Sequence, residues 1–596
     1  MDNLPSRDEI DRRYKWKLED IYSDDELWEK DFADIKDQLN ELEKYEGKIN
    51  SPQNLLKVLR LKDEIGQKVD RLFVYARMRR DEDNANAKFQ ALADRAMGLV
   101  VEVSSRLSFI EPEIISLSAE TLKEYIKKDT GLNLYEHYIS NLVRMKDHIL
   151  DAKTEKILAE ASEMAQAPGD IFRMLDNADI KFPTIKDEDG KEIELTKGRY
   201  MTFMESENRR VRESAFKALY STYEGLINTL GATTAANIKS DVFYKKQRNF
   251  NSCLEASLFQ DNVTVDVYDN LIKAVNSRLD LLHRYVDLRK RALGVKDLHM
   301  YDLYVPLVKD LDKQITYEQA KDMVIDGLAP MGDEYIGILK EGFTSGWIDV
   351  YENRGKTGGA YSWGTYGIHP YVLLNFQGKL NDVFTIAHEM GHALHTYYSF
   401  KNQPYIYSEY TIFVAEVAST CNEAILINYL LDKAEDKREK MFLINHFMEQ
   451  FKGTLYRQTM FAEFEKLTHE MVERGEPINQ EILKKIYRDL NKKYFGDGIH
   501  IDDEIDCEWA RIPHFYNSFY VYKYATGFSA AIAISAKILK DGVLAQQKYK
   551  KFLSSGSSDY SLNLLRLVDV DLTKTEPILD ALNVFEKLLD KYESFL

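Results

Sequence analysis

The sequence predicts a mainly α-helical protein of two domains with a small β element, and three observations support this. The chain has 596 residues, which is more than a single hydrophobic core normally serves. It contains only 12 Pro and 29 Gly, and long stretches rich in Leu, Glu, Lys and Ala show helical periodicity. Two short segments interrupt that helical pattern, and the first of them marks the predicted domain boundary.

The predicted N-terminal helical domain spans residues 1–198. Amphipathic helical patterns separated by short polar breaks fill most of it. Three of these patterns cover residues 26–45, 53–80 and 86–107. Two β-rich stretches then flank the polar, glycine-containing segment 187–191, which predicts a β-hairpin close to the boundary at Gly198. Helical patterns resume in the predicted catalytic domain, residues 199–596.

The second interruption, residues 347–376, predicts one or two strands that lead into a central helix. Five glycines are crowded among Tyr and Trp residues, and an apolar stretch closes the segment. Glycine-rich strands permit close backbone approach, which suits an extended peptide that adds itself as another strand. We therefore predict that Gly359, Ala360 and Tyr361 bind such a peptide. A purely structural hairpin is the alternative.

The next element is a helix predicted over residues 381–398. Asn381 or Asp382 supplies its N-cap, and apolar residues follow at helical spacing. The helix contains the sequence His-Glu-Met-Gly-His, which begins at His388. Because only 12 of the 596 residues are histidine, two histidines at this spacing point to a shared role.

His388 and His392 lie four positions apart, so they share one helical face and can bind the same ion. Zinc is readily bound by neutral imidazole, and in this motif the intervening glutamate lies beside the metal. We therefore predict a Zn²⁺ site at His388 and His392, with Glu389 as the candidate general base. The alternative is a helix with two ordinary surface histidines.

A catalytic zinc site uses three protein ligands and keeps one open position. A third histidine six positions after His392 is excluded, because a tyrosine stands there. The apolar, helix-compatible stretch 413–423 instead carries Glu416 and Glu423, two turns apart on one face. A carboxylate in an apolar stripe is costly unless it is paired or binds metal. Glu416 is therefore the predicted third ligand or a buried ion-pair partner, and Glu423 either orients a ligand or lies on the surface.

These residues resemble the thimet oligopeptidase and oligoendopeptidase F family of zinc peptidases, in particular its oligoendopeptidase F branch. The matching segments are 359–364, 370–376, 388–392, 416–423, 513–516 and 520–527. The resemblance implies a gluzincin-type zincin fold with a deep substrate channel. It also implies one Zn²⁺ per chain on His388, His392 and Glu416, with Glu389 as the base. The chain departs from thimet-type members at Phe413, where they usually carry an aspartate.

An aromatic patch follows His514. Tyr516, Tyr520 and Tyr524 recur at i, i+4 and i+8, so a helical interpretation aligns them on one face, with Tyr522 off that stripe. A packed core stripe is the alternative function of these rings. In the resembled family a histidine and tyrosines beyond the zinc ligands donate to the oxyanion. The resemblance therefore implies His514 and Tyr524, then Tyr522, as donors, and we assign Tyr520 to substrate binding.

Together these features predict a zinc-dependent endopeptidase that hydrolyses internal bonds of unstructured oligopeptides. An aminopeptidase of this class typically reads the free amine with Gly-x-Met-Glu-Asn, a segment that the sequence lacks. A carboxypeptidase remains an alternative, and so does a non-catalytic helical binding protein. The net charge of −18 argues against nucleic acid and anionic membrane surfaces as partners.

Composition also predicts the compartment. The three cysteines, Cys253, Cys421 and Cys507, are far apart and odd in number, which does not fit a disulfide framework. The sequence has no run of 18 apolar residues, and its first residues show no signal-peptide pattern. We therefore predict a cytoplasmic protein, with Cys421 as a buried structural thiol.

Overall fold

A computed structural model describes residues 4–309 and 313–596. Helix makes up 71% of the chain, which confirms the predicted mainly α class. The α-helices are α1 Asp25–Glu43, α2 Pro52–Glu82, α3 Ala87–Leu107, α4 Ile110–Ser116, α5 Ala119–Lys128, α6 Glu136–Met145, α7 Ala152–Met174, α8 Lys197–Met204, α9 Arg209–Glu224, α10 Ile227–Gln247, α11 Cys253–Phe259, α12 Val265–Asn276, α13 Leu279–Ala292, α14 Tyr317–Gly327, α15 Asp333–Thr344, α16 Leu380–Asn402, α17 Tyr405–Ser408, α18 Ile412–Lys433, α19 Lys437–Gln450, α20 Arg457–Glu473, α21 Gln480–Phe495, α22 Tyr522–Asp541, α23 Val543–Leu553, α24 Ser561–Arg566 and α25 Glu576–Glu593. Short 3-10 helices occupy Arg7–Glu9, Arg12–Tyr14, Leu18–Asp20, Thr130–Tyr135, Lys146–His148, Met300–Asp302, Ala329–Met331, Asp503–Arg511 and Pro513–Tyr516, and π-helical turns occupy Leu175–Asp179 and Phe451–Tyr456.

Within the described residues, short strands form two small sheets. The strands are β1 Thr184–Lys186, β2 Glu192–Glu194, β3 Ile348–Asp349, β4 Tyr361–Trp363 and β5 Tyr371–Leu373. Strands β1 and β2 pair antiparallel, with Ile185 opposite Ile193, which confirms the predicted hairpin. In the second sheet β5 is central, parallel to β3 and antiparallel to β4. The predicted β element is therefore present, and β4 lies at its edge.

The chain folds into two compact units, and each unit is assembled from three separated segments. Unit 1 consists of Met1–Asp147, Lys313–Asn428 and Ile534–Asp569, and unit 2 consists of His148–Asp312, Tyr429–Ala533 and Val570–Leu596. Gly198 lies inside α8 and inside unit 2. The units therefore do not follow the division at residue 198, which stays a prediction about two sequence segments.

Unit 1 is built on the long helix α2, which packs against α1 and α3. The three helices cover the three N-terminal patterns that the sequence predicted, because each buries one regularly spaced apolar face. Trp28 is fully buried in this core, and its indole N–H donates to the carbonyl of Leu72 at 3.0 Å. Tyr371 and Leu373 of β5 belong to the same core. The N-terminal helices thus support the small sheet from which the chain enters α16.

Unit 2 is built around α10, which packs against α7, α20 and α21. Helices α7, α20 and α21 bury large aromatic side chains in the interior of unit 2. In addition, the buried Tyr268 of α12 donates from its hydroxyl to the carbonyl of Ala462 at 2.7 Å. The 3-10 helix that begins at Pro513 contacts both α7 and α10. Unit 2 therefore holds the segment that contains His514.

The thiols of Cys253, Cys421 and Cys507 are all free and buried, so the predicted absence of a disulfide framework and the buried Cys421 are confirmed.

Candidate metal centre and catalytic groups

Helix α16 carries the His-Glu-Met-Gly-His motif, and it includes the whole predicted helix 381–398. Its start differs from the prediction, because Lys379 is the N-cap residue and Asp382 stands at the third helical position. The Asp382 carboxylate accepts from the backbone N–H groups of Lys379 at 2.8 Å and Gln377 at 3.0 Å. This reverse half of a capping box fixes the direction in which the chain enters the helix.

The structure brings the three predicted metal ligands together. Glu416 Oε2 lies 3.5 Å from His388 Nε2 and 3.7 Å from His392 Nε2. Two ligands of a tetrahedral zinc with bonds of about 2.1 Å stand about 3.4 Å apart. Two imidazoles and one carboxylate at these separations fit Zn²⁺ in both donor type and spacing. Helix α18 confirms the predicted helical stretch that presents Glu416.

Each ligand imidazole is held through an additional hydrogen bond. His388 Nδ1 lies 2.6 Å from Glu423 Oε1, and the His392 ring is hydrogen-bonded to the backbone of Ala415. Such contacts fix the tautomer and direct the other ring nitrogen toward a metal. Of the two roles that the sequence left open for Glu423, the structure therefore supports the orientation of His388.

The two imidazoles differ in their electrostatic surroundings. Burial disfavours the charged form of His388, but the hydrogen bond and charge of Glu423 raise its pKa to about 9. Burial and the neighbouring charge of His388 lower the pKa of His392 to about 3. The acidic groups around His388 therefore favour a cation at this point, and a metal ion would displace the proton, because imidazole binds metal in its neutral form.

Glu389 directly follows His388 in the sequence, and it is buried, with an exposed fraction of only 7%. Burial raises the pKa of its carboxyl to about 7, helped by the charges of Glu416 and Glu423 and opposed by that of His388. A carboxyl whose pKa lies near neutrality is well matched to proton transfer at neutral pH. Its location is compatible with a base that is not itself a ligand.

The metal centre depends on a close approach of α16 and α18. A Cβ atom on Gly391 would lie 2.6 Å from Ser419 Cα and 2.9 Å from the Ala418 carbonyl oxygen. Across the same contact, the buried Asn422 side chain donates to the carbonyl of Ala387 at 3.0 Å. The sequence analysis assigned no role to Gly391 or Asn422. A glycine in the middle of an otherwise good helical pattern was the available signal for Gly391.

The predicted peptide-binding segment, residues 359–361, lies beside helix α16 in unit 1. Gly359 and Ala360 line a cavity of ≈ 340 Å³ together with Thr385 and Ile386 of α16. The backbone of Gly359 has a φ of +84°, and the space above it is open to at least 4 Å. Its carbonyl accepts from the Asn375 side chain at 2.8 Å. These features give the segment immediately before β4 an accessible backbone.

The aromatic patch lies in unit 2, where three of the predicted residues form one cluster. The Tyr524 hydroxyl is 3.5 Å from His514 Nε2, and the Tyr520 ring lies 6.1 Å from the His514 ring, nearly parallel to it. Tyr522 differs, because it is fully buried and packs against Tyr268. Its assignment as an oxyanion donor is therefore corrected to a core position, while Tyr524 remains a candidate donor and Tyr520 a candidate substrate contact.

The helical interpretation of this patch is also wrong before Tyr522, where α22 begins. Phe519 has a positive φ of 61°, which a continuous helix excludes. Tyr516 points elsewhere, since its ring stacks on Phe172 and its hydroxyl lies 2.8 Å from Thr233 Oγ1. Tyr520 reaches Tyr524 through a turn and not along a helix face.

Comparison with known proteins assigns the chain to a family. The sequence pattern of Peptidase family M3 matches residues 202–584, and that of Oligopeptidase F matches residues 113–182. The chain belongs to peptidase family M3. This M3 peptidase is 48% identical over 594 residues to the oligopeptidase PepF of Bacillus subtilis, with 100% of this chain and 89% of the relative covered.

Further relatives cover nearly the full length of the M3 peptidase. An oligoendopeptidase F homolog of Lactococcus lactis is 41% identical, with 99% of this chain and 98% of the relative covered. The crystal structure of a putative peptidase from Chlamydophila abortus superimposes with a TM-score of 0.95 at 34% identity and covers 100% of both chains. The oligoendopeptidase-F of Enterococcus faecium gives a TM-score of 0.75 at 38% identity, covering 96% and 99%. The predicted family resemblance is thereby confirmed.

The helices of the M3 peptidase were also compared with the requirements of a membrane span. Across residues 4–309 and 313–596, each helix is too short or too polar to cross a bilayer. The predicted cytoplasmic location stays a prediction.

Proposed function

We propose that this M3 peptidase hydrolyses internal bonds of unstructured oligopeptides with one catalytic Zn²⁺ held by His388, His392 and Glu416. The chain is an oligopeptide-cleaving metalloendopeptidase, in agreement with its family and with relatives named as oligopeptidases and oligoendopeptidases. The proposal adds the metal, its ligands and the base. The observation that carries it is the set of three ligand atoms, spaced for zinc, next to the buried carboxyl of Glu389.

The chain's own residues account for the proton transfers. Bound zinc would supply a charge that polarises the scissile carbonyl and acidifies the attacking water. Glu389 accepts the proton of that water and then delivers it to the leaving amine. Burial raises the pKa of this carboxyl to about 7, which supports its role in taking up a proton. Glu423 keeps the His388 ring in the orientation that leaves Nε2 directed at Glu416.

Substrate binding is assigned to the accessible backbone in unit 1. The segment Gly359 to Tyr361 would pair with an extended peptide through main-chain hydrogen bonds, which read few side chains and suit many sequences. The family resemblance supports His514 and Tyr524 as donors to the oxyanion and Tyr520 as a substrate contact. A backbone-directed site of this kind agrees with cleavage of unstructured oligopeptides.

Metal analysis combined with cleavage of an end-blocked fluorogenic peptide tests this proposal. After dialysis against a weak chelator, the wild type should retain zinc and cut the blocked peptide internally. Glu389→Gln should keep its zinc but lose about 10²- to 10⁴-fold in kcat, whereas Glu416→Ala should lose the zinc. Cleavage confined to free-ended peptides, or normal turnover by Glu389→Gln, would contradict the assignment.

A further inference from the structure

A second cluster of metal-ligating side chains lies in unit 2, apart in sequence from the catalytic motif. His299, His500 and Asp502 each offer one ligand atom, and these atoms all lie within 4.8 Å of one another. Among the described residues, the only other group with this arrangement is that of His388, His392 and Glu416. We propose that His299, His500 and Asp502 bind a second divalent transition-metal ion of the zinc type.

The backbone holds the two imidazoles side by side. Residues 299 and 500 form a parallel β-bridge, in which the N–H of His500 donates to the carbonyl of Leu298 at 2.8 Å. The His299 and His500 ring centroids are 4.9 Å apart, the same separation as that of the His388 and His392 rings. Paired extended segments therefore achieve the ring spacing that the catalytic motif achieves with one helical turn.

Asp502 provides the carboxylate of the cluster. Its Oδ1 lies 2.7 Å from His299 Nδ1, and its Oδ2 accepts from the backbone N–H of Met300 at 2.9 Å. A carboxylate has about four lone-pair positions, so these two contacts leave capacity for a metal bond. A metal ion would replace the proton shared by Asp502 and His299, and the two atoms would separate to about 3.4 Å. The His299 ring is partly exposed and stacks on the ring of Tyr301.

The charges around the cluster favour a cation. Asp502 has an exposed fraction of only 7%, yet among the described residues its ion-pair partner is an imidazole and no lysine or arginine. The nearby Arg209 is committed elsewhere, because it pairs with Asp302. A buried carboxylate without a permanent counter-charge is costly, and a divalent ion would offset that cost.

The proposed second metal site is open to solvent, unlike a closed structural metal site. His500 is exposed, so an ion could enter from solvent and retain water at its remaining positions. The ion would connect two segments that are about 200 residues apart in sequence and would stabilise unit 2 when metal is present. The inference does not depend on the catalytic assignment, because it uses none of the same residues.

Zinc stoichiometry measured by equilibrium dialysis tests the second site. The metal-stripped full chain, at low-micromolar free Zn²⁺, should bind two ions in the wild type and one in either Glu416→Ala or His500→Ala. The double variant should bind none. Asp502→Asn should also retain one ion, whereas the matched control Asp503→Asn should retain two, since the Asp503 carboxylate is exposed and pairs with Arg488.

Thermal unfolding supplies a second readout on the same proteins. Zn²⁺ should raise the unfolding temperature of Glu416→Ala, and this rise should disappear in the Glu416→Ala/His500→Ala variant. Peptidase activity of His500→Ala should equal that of the wild type, which also shows that the variant folds. Equal numbers of ions bound by the wild type and by His500→Ala, or no ion bound by Glu416→Ala, would overturn the second site.

Discussion

Glu423 illustrates how one side chain outside the ligand set can control the metal centre. It contacts His388 Nδ1 at 2.6 Å, the arrangement by which carboxylates raise the basicity of metal-bound imidazole. Glu423→Gln should lower zinc affinity by about 10- to 100-fold, measured by competition with a chromogenic chelator. Glu435→Gln, at an exposed position, is the control. Equal affinities of Glu423→Gln and wild type would show that the contact has no role in ligation.

Two neighbouring tyrosines allow the oxyanion assignment to be tested with a matched pair. Tyr524→Phe removes a hydroxyl that lies beside His514, and it should lower kcat about 10²-fold or more with little change in KM. Tyr522→Phe removes a hydroxyl from the protein core and should leave kcat unchanged. Steady-state kinetics on a blocked peptide distinguish the two. An effect on KM alone would make Tyr524 a ground-state binding residue.

The packing of α16 on α18 determines whether the ligands meet. In Gly391→Ala the new methyl group would collide with backbone atoms of Ser419 and Ala418, which cannot move without separating the helices. Overpacking of this kind costs about 1–3 kcal/mol. We expect weaker zinc binding together with a lower unfolding temperature.

Gly337→Ala is the matched control for that substitution. Gly337 also lies inside a helix of unit 1, and a Cβ there would meet nothing within 4 Å. It should preserve zinc affinity and slightly raise stability, because alanine is the better helix former by about 1 kcal/mol. Zinc affinity in Gly391→Ala equal to that of the control would show that the close approach is unnecessary.

A buried charge cluster joins several elements of unit 2. Glu508, within a 3-10 helix, accepts from Arg457 of α20 at 2.7 Å, from Tyr487 of α21 at 2.5 Å and from Arg511 at 2.9 Å. Burial alone would raise the pKa of Glu508, but the charges of Arg457 and Arg511 lower it to about 2. The stabilisation is therefore fully present above the unfolded-state pKa of about 4.3 and is lost as the pH falls through about 2.

Glu508→Gln should lower the free energy of unfolding by about 3–5 kcal/mol at neutral pH, because two partly buried guanidinium groups lose their buried counter-charge. The difference from wild type should shrink as the pH is lowered from about 4.3 toward 2. Urea unfolding at several pH values measures it, with the exposed Glu46→Gln as control. A difference that does not change with pH would show that packing, and not charge, is lost.

Elements were predictable wherever local pattern alone determines structure. Helices α1 to α3 and the β-hairpin follow from apolar spacing and from a glycine turn, which are properties of short segments. The segment before Tyr522 was not predictable in this way. Phe519 adopts a positive φ, and its backbone N–H donates to the carboxylate of the buried Glu465 at 2.8 Å. That contact joins residues 54 positions apart, and no local periodicity reports it.

At the scale of the whole molecule, too, local sequence patterns do not predict which distant segments of the chain pack together. The proximity of His388, His392 and Glu416 was predictable, because two of them share one helical face and a returning helix brings the third to them within one unit. The composition of the two units was not, since each combines three segments that are interrupted by segments of the other unit. Periodicity identifies which face of a helix is buried, but many partners could cover that face equally well.

The substrate size that we expect follows from the partial burial of the proposed catalytic groups in unit 1. The side chain of His392 is 17% exposed and that of Glu416 is 35% exposed, while Glu389 is 7% exposed. The scissile peptide bond must therefore contact groups that are partly buried. An extended chain can make this contact while it pairs with the backbone at Gly359 and Ala360. A folded protein cannot, because its peptide bonds are fixed in secondary structure and surrounded by packed side chains.

We therefore expect internal cleavage of unstructured peptides and negligible attack on native globular proteins. A series of end-blocked peptides from about 5 to about 40 residues, all containing the same cleavable sequence, would give kcat/KM as a function of length for this strand-addition site. The value should fall for the longer members, whose flanking segments must also be accommodated. The control is one protein offered in native and in reduced, unfolded form, of which only the unfolded form should be cut. Efficient digestion of the native form, or a kcat/KM independent of length, would contradict a recessed site that admits only extended chains.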